Sequence, residues 1–224
     1  MKKDDKTALI TGASSGIGKA ICDELQQSGY TIYGISRRDT EISCDLQDTT
    51  LLERKIKVLL QKTDIDILIN CAGLGIFKPH EEMSLKKIEE LIDVNLKAPI
   101  LITNLCLRSL KNRKGQIINI SSIEATRYSK FSALYSATKS GLRAFSLCLF
   151  EELRKSGVRV TNINPDITKT AFFDNLRFKP ADDKQSYMEP KEIAKEVLHI
   201  INSPFVTTDI TLRAQKFAID KKVY

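Results

Sequence analysis

Tyr135 and Lys139 stand four residues apart in Tyr135-Ser136-Ala137-Thr138-Lys139. On a helix that spacing puts both side chains on one face, one turn apart. A cation beside a phenol favours the phenolate and draws its pKa toward neutrality, which suits a group that gives and takes a proton. The same spacing arises on ordinary helix faces, so the pair carries weight only in company.

A second constellation is Thr11-Gly12-Ala13-Ser14-Ser15-Gly16-Ile17-Gly18, between an apolar run and a helical pattern. Glycines let the backbone approach a ligand closely. A helix N-terminus adds unpaired N–H groups and a positive dipole end, which suit a pyrophosphate. A glycine triplet can be merely a tight turn; its position between first strand and first helix favours dinucleotide binding. The second strand then ends in Ser36-Arg37-Arg38, with no acid before Asp39. An acid there would bind the adenosine ribose and repel a 2′-phosphate, whereas an arginine grips that phosphate. Arg37, with Arg38 beside it, therefore points to NADP(H). Two exposed loop arginines are the alternative, and NAD(H) stays open.

The elements that must hold these residues alternate strand and helix. Thr7–Thr11, Thr31–Ser36, Asp66–Asn70, Gln116–Ser121, Val158–Asn164 and Asp209–Arg213 read as strands, the last as the final one. A short strand is expected around Ile42–Asp45, so near Ser36 that one crossover helix is reduced to a loop. Ser14–Ser28 (closed by Gly29), Thr49–Gln61, Ser84–Asp93, Asn95–Lys111, Tyr135–Lys155 (closed by Gly157) and Met188–Ser203 read as helices. Pro99 falls in the first turn of a restarted helix, where proline is tolerated. This order implies an α/β, Rossmann-type doubly wound, mostly parallel sheet with helices on both faces, in one domain over 1–224. Asp174–Tyr187 reads as a long irregular segment, and 171–188 as a substrate-binding loop or lid.

Composition narrows the function classes. The chain has 224 residues and a formal net charge of +7. Its lysines and arginines are interleaved with acids along the helices, which describes solvated faces and not a nucleic-acid surface. Five cysteines, far apart and without a C-x-x-C pair, fit neither a disulfide framework nor a zinc site, and no metal is expected. In the opening MKKDDKTALITG the apolar run Ala8, Leu9 and Ile10 is too short for a leader's core, and no later run approaches a membrane span. A cytoplasmic location is the expectation.

The motifs together resemble the classical short-chain dehydrogenase/reductase family. The matching pieces are TGASSGIG (11–18), CDL (44–46), NCAG (70–73), Asn95 in DVNL, Ser122 at the end of NISS, YSATK (135–139) and NPDITKT (164–170), in the family's order, with Ser122 thirteen residues before Tyr135. The resemblance runs from the first strand to about Thr170 and covers the remaining part only loosely.

The resemblance implies a catalytic tetrad. Tyr135 would be general acid in reduction and general base in oxidation, and Lys139 would tune it and hold the nicotinamide ribose. Ser122 would hydrogen-bond the substrate oxygen. Asn95 would interrupt its helix and hold a water that relays protons through Lys139. Gly12, Ser14, Ser15, Gly16, Ile17 and Gly18 would meet the pyrophosphate, with Ser36, Arg37 and Arg38 at the 2′-phosphate. Asp45 and Leu46 match adenine-contacting positions. Asn70, Ala72 and Gly73 match the segment that passes the adenosine ribose and steadies the central strand. Pro165, Ile167 and Thr170 match the segment beside the nicotinamide, where the Thr170 hydroxyl helps fix the carboxamide.

Departures from the family pattern are Asp166 for the usual glycine, Cys71 for a second asparagine, Ser15 where NADP-preferring relatives often carry a cation, and a C-terminus, LRAQKFAIDKKVY, without the frequent Asp-Gly-Gly. Ser15 leaves the 2′-phosphate largely to Arg37. Glu124, Tyr128, Phe131, Phe172, Phe173 and Tyr187 lie on segments expected near the substrate, either as determinants or as packing; His80 and His199 match no family role. The activity implied is hydride transfer between a nicotinamide cofactor, NADP(H) or else NAD(H), and the carbonyl or alcohol of a small organic substrate, in a homodimer or homotetramer. A non-catalytic dinucleotide sensor is the rival on the same fold. A nucleotide-sugar epimerase is disfavoured by the glycine spacing.

Overall fold

The computed structural model describes residues 6–222. MKKDD of the leader reading and the last two residues of the C-terminal tail lie outside them. Six strands that are buried or apolar at their centres lead the chain order: β1 (Thr7–Thr11), β2 (Thr31–Ser36), the two-residue β3 (Ile42–Ser43), β4 (Ile67–Asn70), β5 (Gln116–Ile120) and β6 (Arg159–Pro165). With β8 (Asp209–Leu212) they form a seven-stranded sheet in the order β3-β2-β1-β4-β5-β6-β8, every pair parallel. The strand order reverses between β1 and β4, so a crevice opens there beyond the carboxyl ends of the strands.

Period-two alternation splits the strand side chains between two cores. Leu9, Ile35, Leu68, Ile117 and Val160 face α2 (Thr49–Leu60), α4 (Ala98–Arg113) and α5 (Ala133–Leu153). Ala8, Ile10, Ile69, Ile118 and Ile163 face α1 (Gly16–Gln27) and α6 (Pro190–Asn202). Burial of each such isoleucine or leucine stabilises by roughly 1.5–3 kcal/mol, so both helix layers are fixed to the sheet that carries the site. Among the described residues no helix is long and apolar enough to cross a membrane.

The local readings survive with shifted ends. Helix α1 begins at Gly16, two residues late, because Ser14 and the extended N-cap Ser15 (φ −157°) belong to the turn. Gly29 and Gly157 take left-handed φ at 87° and 81°, as the helix-stop reading requires. The crossover between β2 and β3 is indeed a loop, braced by the Glu41 carboxylate, which accepts from Gly34 N at 2.7 Å. Between α3 (Leu85–Ile92) and α4 the helix passes through a π-helical turn, Asp93–Lys97, with Pro99 in the first turn that follows.

Two expectations are corrected. Asp174–Tyr187 is not irregular throughout: it contains β7 (Phe178–Pro180), and Asp209–Leu212 is not the last strand, because β9 (Ile219–Lys221) follows it. These strands pair antiparallel, Phe178 opposite Lys221. Each has three residues, too few for a period to show in the sequence.

Candidate active site

The glycine turn is a backbone device. Gly12 and Gly16 have φ of 71° and 54°, the left-handed region that glycine tolerates. A Cβ on Gly12 would lie 2.9 Å from Ala72 Cα, and one on Gly18 would collide with the Gly12 carbonyl. The turn is tied to the next strand by Thr11, whose Oγ1 accepts from Cys71 N and Ala72 N, each at 3.0 Å. Ser15 makes no side-chain cap, so the first N–H groups of α1 are left for a ligand. A cavity of about 870 Å³ opens over this turn and runs past Arg37, Ala72 and Gly73 to Ser122, Tyr135, Pro165, Ile167 and Thr170. Unpaired helix-start donors, close-approach glycines and an exposed Arg37 on one wall fit a phosphorylated dinucleotide.

Ser122 ends β5 and caps a short 3₁₀ turn, its Oγ accepting from Glu124 N at 3.2 Å. Its hydroxyl also acts on the Tyr135 phenol as a hydrogen-bonding neighbour, favouring the phenolate. The Tyr135 ring lies 5.1 Å from Phe77 and 6.0 Å from Phe172, centroid to centroid. One turn along α5, Lys139 Nζ donates to the Ile120 carbonyl at 3.0 Å and lies beneath Gly73. Asn95 sits in the π-helical turn: its Oδ1 accepts from Leu74 N (2.8 Å), and its Nδ2 donates to Leu74 O (2.9 Å) and Thr138 Oγ1 (3.2 Å). This one amide clamps the chain after β4 against α5.

The electrostatics correct the simple phenol-and-cation expectation. Burial pushes the Tyr135 phenol up to about 12, against the Ser122 hydrogen bond, and the Glu124 carboxylate pushes it the same way. Burial also pulls Lys139 down to about 8. In the protein alone, desolvation is the largest influence on both groups.

The cavity does not gather every expected residue. Ser14, Ser36, Arg38, Asp45, Leu46, Asn70, Asn95 and Lys139 are absent from its wall, the last two being buried behind it. Ser36 Oγ is spent on the Arg38 carbonyl and on Thr40. Asp45 accepts from Gln47 N at 3.0 Å, and Leu46 is buried in the core beneath α2. Asn70 donates to Asn119 Oδ1 at 2.8 Å inside the sheet, the strand-steadying part of its expected role. Thr170 Oγ1 accepts from Phe172 N at 3.3 Å, capping the next turn.

Near the substrate end, Glu124, Phe131, Phe172 and Phe173 line the cavity, whereas Tyr128 is fully exposed outside it and Tyr187 packs with Phe173 and Ile167 beneath. Asp166 pairs with Arg213 at 3.2 Å. Sequence reasoning missed Phe77, Phe178, Phe217 and Ile219, whose apolar character was visible but whose convergence on one chamber depends on the β7–β9 pairing.

Residues 6–181 match the family model described as short chain dehydrogenase. An uncharacterised oxidoreductase of Staphylococcus saprophyticus is 33% identical over 220 residues, covering 89% of this chain and 92% of its own. A "probable NADP-dependent dehydrogenase" of Haemophilus influenzae is 32% identical, covering 88% of each. Among solved structures, an alcohol dehydrogenase from the archaeon Thermococcus sibiricus, complexed with 5-hydroxy-NADP, superposes with a TM-score of 0.83 at 28% identity, covering 95% of this chain and 98% of that one. With the matched region spanning the glycine turn, the serine and the tyrosine–lysine helix, this chain belongs to the short-chain dehydrogenase family.

Proposed function

We propose that the protein is a cytoplasmic NADP(H)-dependent oxidoreductase that moves a hydride between nicotinamide and the carbonyl or alcohol carbon of a small organic molecule. One observation carries the reading: Ser122 and Tyr135 both line the cavity that begins at the glycine turn, with the Ser122 hydroxyl acting on the Tyr135 phenol to favour its charged form. Gly12, Ser15, Gly16, Ile17 and Gly18 hold the pyrophosphate, Arg37 the 2′-phosphate, and Pro165, Ile167 and Thr170 flank the nicotinamide. The NADP dependence ascribed to the Haemophilus relative and the ligand of the Thermococcus enzyme support NADP(H).

When bound, the nicotinamide supplies or accepts the hydride. The chain's own residues manage the substrate oxygen. Ser122 donates a hydrogen bond to it as negative charge develops, and Tyr135 gives it a proton in reduction. A phenol pushed up to about 12 is protonated at neutral pH, the state reduction uses. Oxidation needs the phenolate, which Glu124 opposes. Lys139 holds the ribose and returns the proton, while Asn95 positions Leu74 and α5.

The test follows NADPH oxidation with a panel of aldehydes and ketones. Tyr135→Phe lowers kcat by about 10³-fold and leaves NADPH affinity within about threefold. Turnover near the wild-type rate in that variant sinks the mechanism. Arg37→Asp lowers the preference for NADPH over NADH by about 100-fold, and an unchanged preference removes the 2′-phosphate assignment.

The same proposal extends to form. The chain is one domain in which residues 171–188 cover the substrate, and it assembles as a homodimer or homotetramer through α4 and α5. Half-buried Leu101, Leu105 and Phe145 support that interface; Leu149 belongs to the core instead. Light scattering tests the assembly, and a monomer at micromolar concentration ends that part of the reading.

A further inference from the structure

The Tyr135 side of the cavity is an aromatic chamber with a charged rim. The Phe77 ring touches Tyr135 and stands edge-on to Phe178 at 5.3 Å, and Phe178 in turn packs on Phe173 at 5.7 Å. The cations at the rim follow from those rings. Lys78 is next in chain to Phe77, Arg177 is next to Phe178, and Lys221 is the β9 residue opposite Phe178. All three line the cavity. They come from three separate segments: the Phe77–Phe178 ring contact relates the first two, and the β7–β9 pairing adds Lys221.

The two carboxylates on the cavity wall do not neutralise them. Glu124 is engaged by Arg127 Nε at 2.7 Å and Ser129 Oγ at 2.9 Å. Asp166 is engaged by Arg213 at 3.2 Å and, more loosely, by Arg127 at 3.9 Å. Among the described residues Lys78, Arg177 and Lys221 have no ion pair. Nor is the pyrophosphate their partner, because the glycine turn offers its own donors, with Arg37 beside it, and these cations border the rings around Tyr135. Three cations without ion pairs lining one cavity give it a positive potential that favours an anion.

We infer that the substrate is a carbonyl or alcohol compound with an apolar, ring-sized body and an anionic group, carboxylate or phosphate, which Lys78, Arg177 and Lys221 receive at the rim while the reacting carbon reaches Ser122 and Tyr135. The inference deepens the oxidoreductase reading and rests on it. Arg177 and Lys221 are exposed and Lys78 half-buried, so the anion keeps partial contact with water and the preference is moderate and salt-sensitive.

The experiment compares 4-formylbenzoate, its neutral methyl ester and 4-(trimethylammonio)benzaldehyde as NADPH-dependent substrates. A parallel calorimetric titration places benzoate or benzamide on the NADP⁺-saturated protein. At low ionic strength the anion's kcat/KM exceeds the ester's by about tenfold, mainly through KM, and the cation is the poorest substrate; 0.5 M NaCl collapses the ratio. Lys78→Gln/Arg177→Gln/Lys221→Gln brings the anion-to-ester ratio to about one, and Lys221→Glu alone lowers it several-fold. Substrate 4-formylphenyl phosphate separates a phosphate preference from a carboxylate one. Equal use of acid and ester, or a ratio unmoved by the triple variant, overturns the inference and leaves the oxidoreductase reading standing. If no aldehyde turns over, titration decides: benzoate bound about tenfold tighter than benzamide, and no tighter in the variant, supports the rim while counting against the oxidoreductase reading, whereas equal binding overturns the rim.

Discussion

The two ends of the cavity are built by different physics. The dinucleotide end is one continuous stretch, β1 through the turn into α1, in which backbone meets backbone so closely that no Cβ fits at Gly12 or Gly18. The substrate end is assembled from the chain after β4, the 3₁₀ turn Ala171–Phe173, β7 and β9, joined by ring edges and side-chain reach. The first kind of site admits little change, because its contacts involve atoms that cannot rotate away. The second can be repacked residue by residue. A fold can therefore keep one cofactor while its substrates change.

The sharpest way to break that contrast is a methyl group at each end. Gly18→Ala puts its Cβ into the Gly12 carbonyl, and only a shift of the turn relieves it. We expect a loss of roughly 3 kcal/mol or more in urea unfolding, together with loss of NADPH binding. Phe217→Ala at the other end removes a ring that is 58% exposed, and stability falls by no more than about 1 kcal/mol. Comparable effects at the two positions would erase the distinction.

Lys139 sharpens the contrast by pH. The residue is 3% exposed, and burial lowers its pKa from 10.5 to about 8. The unfolded chain thus binds more protons than the native one between those values, so stability from this group rises with pH across that window. Below pH 8 the displacement corresponds to a penalty of about 3 kcal/mol. Lys139→Met should therefore be more stable than wild type by up to about that amount at pH 7, with the gap closing by pH 10, and be inactive at both. Cofactor-free protein is the sample. A constant gap from pH 7 to 10 would mean that the ammonium is not desolvated. Tyr135, raised from 10.0 to about 12, acts in the opposite sense above pH 10, where the unfolded chain loses its proton first and wild-type stability falls.

The legibility of the molecule follows the same boundary. The parallel sheet and the glycine turn were readable because buried strands are continuous apolar runs and a close-approach turn leaves glycines in fixed places. Serine, tyrosine and lysine were readable through their order and spacing. The raised Tyr135 pKa was not, since a four-residue spacing reports proximity and says nothing of the desolvation that dominates it. That Asp45 and Leu46 do not line the cavity was illegible for a similar reason: a matching tripeptide does not reveal that its side chains turn to a core or to their own backbone. The β7–β9 ribbon escaped because three-residue strands have no period, and their partner lies about forty residues away.

The smallest effect tests whether the substrate end is a packed surface or a latch. Lys222, just beyond β9, donates from Nζ to the carbonyls of Phe173 (2.6 Å) and Asp174 (2.8 Å), at the end of the 3₁₀ turn that carries Phe172 and Phe173 over the cavity. Lys222→Met keeps most of the stem and deletes both charge-assisted bonds. Because the head group is only partly buried and water can replace it, we expect global stability to fall by about 1 kcal/mol or less. Local opening should change more: amide exchange of residues 171–180 accelerates about fivefold, and substrate KM rises by a similar factor, while NADPH affinity is unaltered. Lys222→Arg, which keeps the charge and the donors, restores both readouts. Unchanged exchange in the methionine variant would show that ring packing alone holds this segment, and the tail would then be wall without being latch.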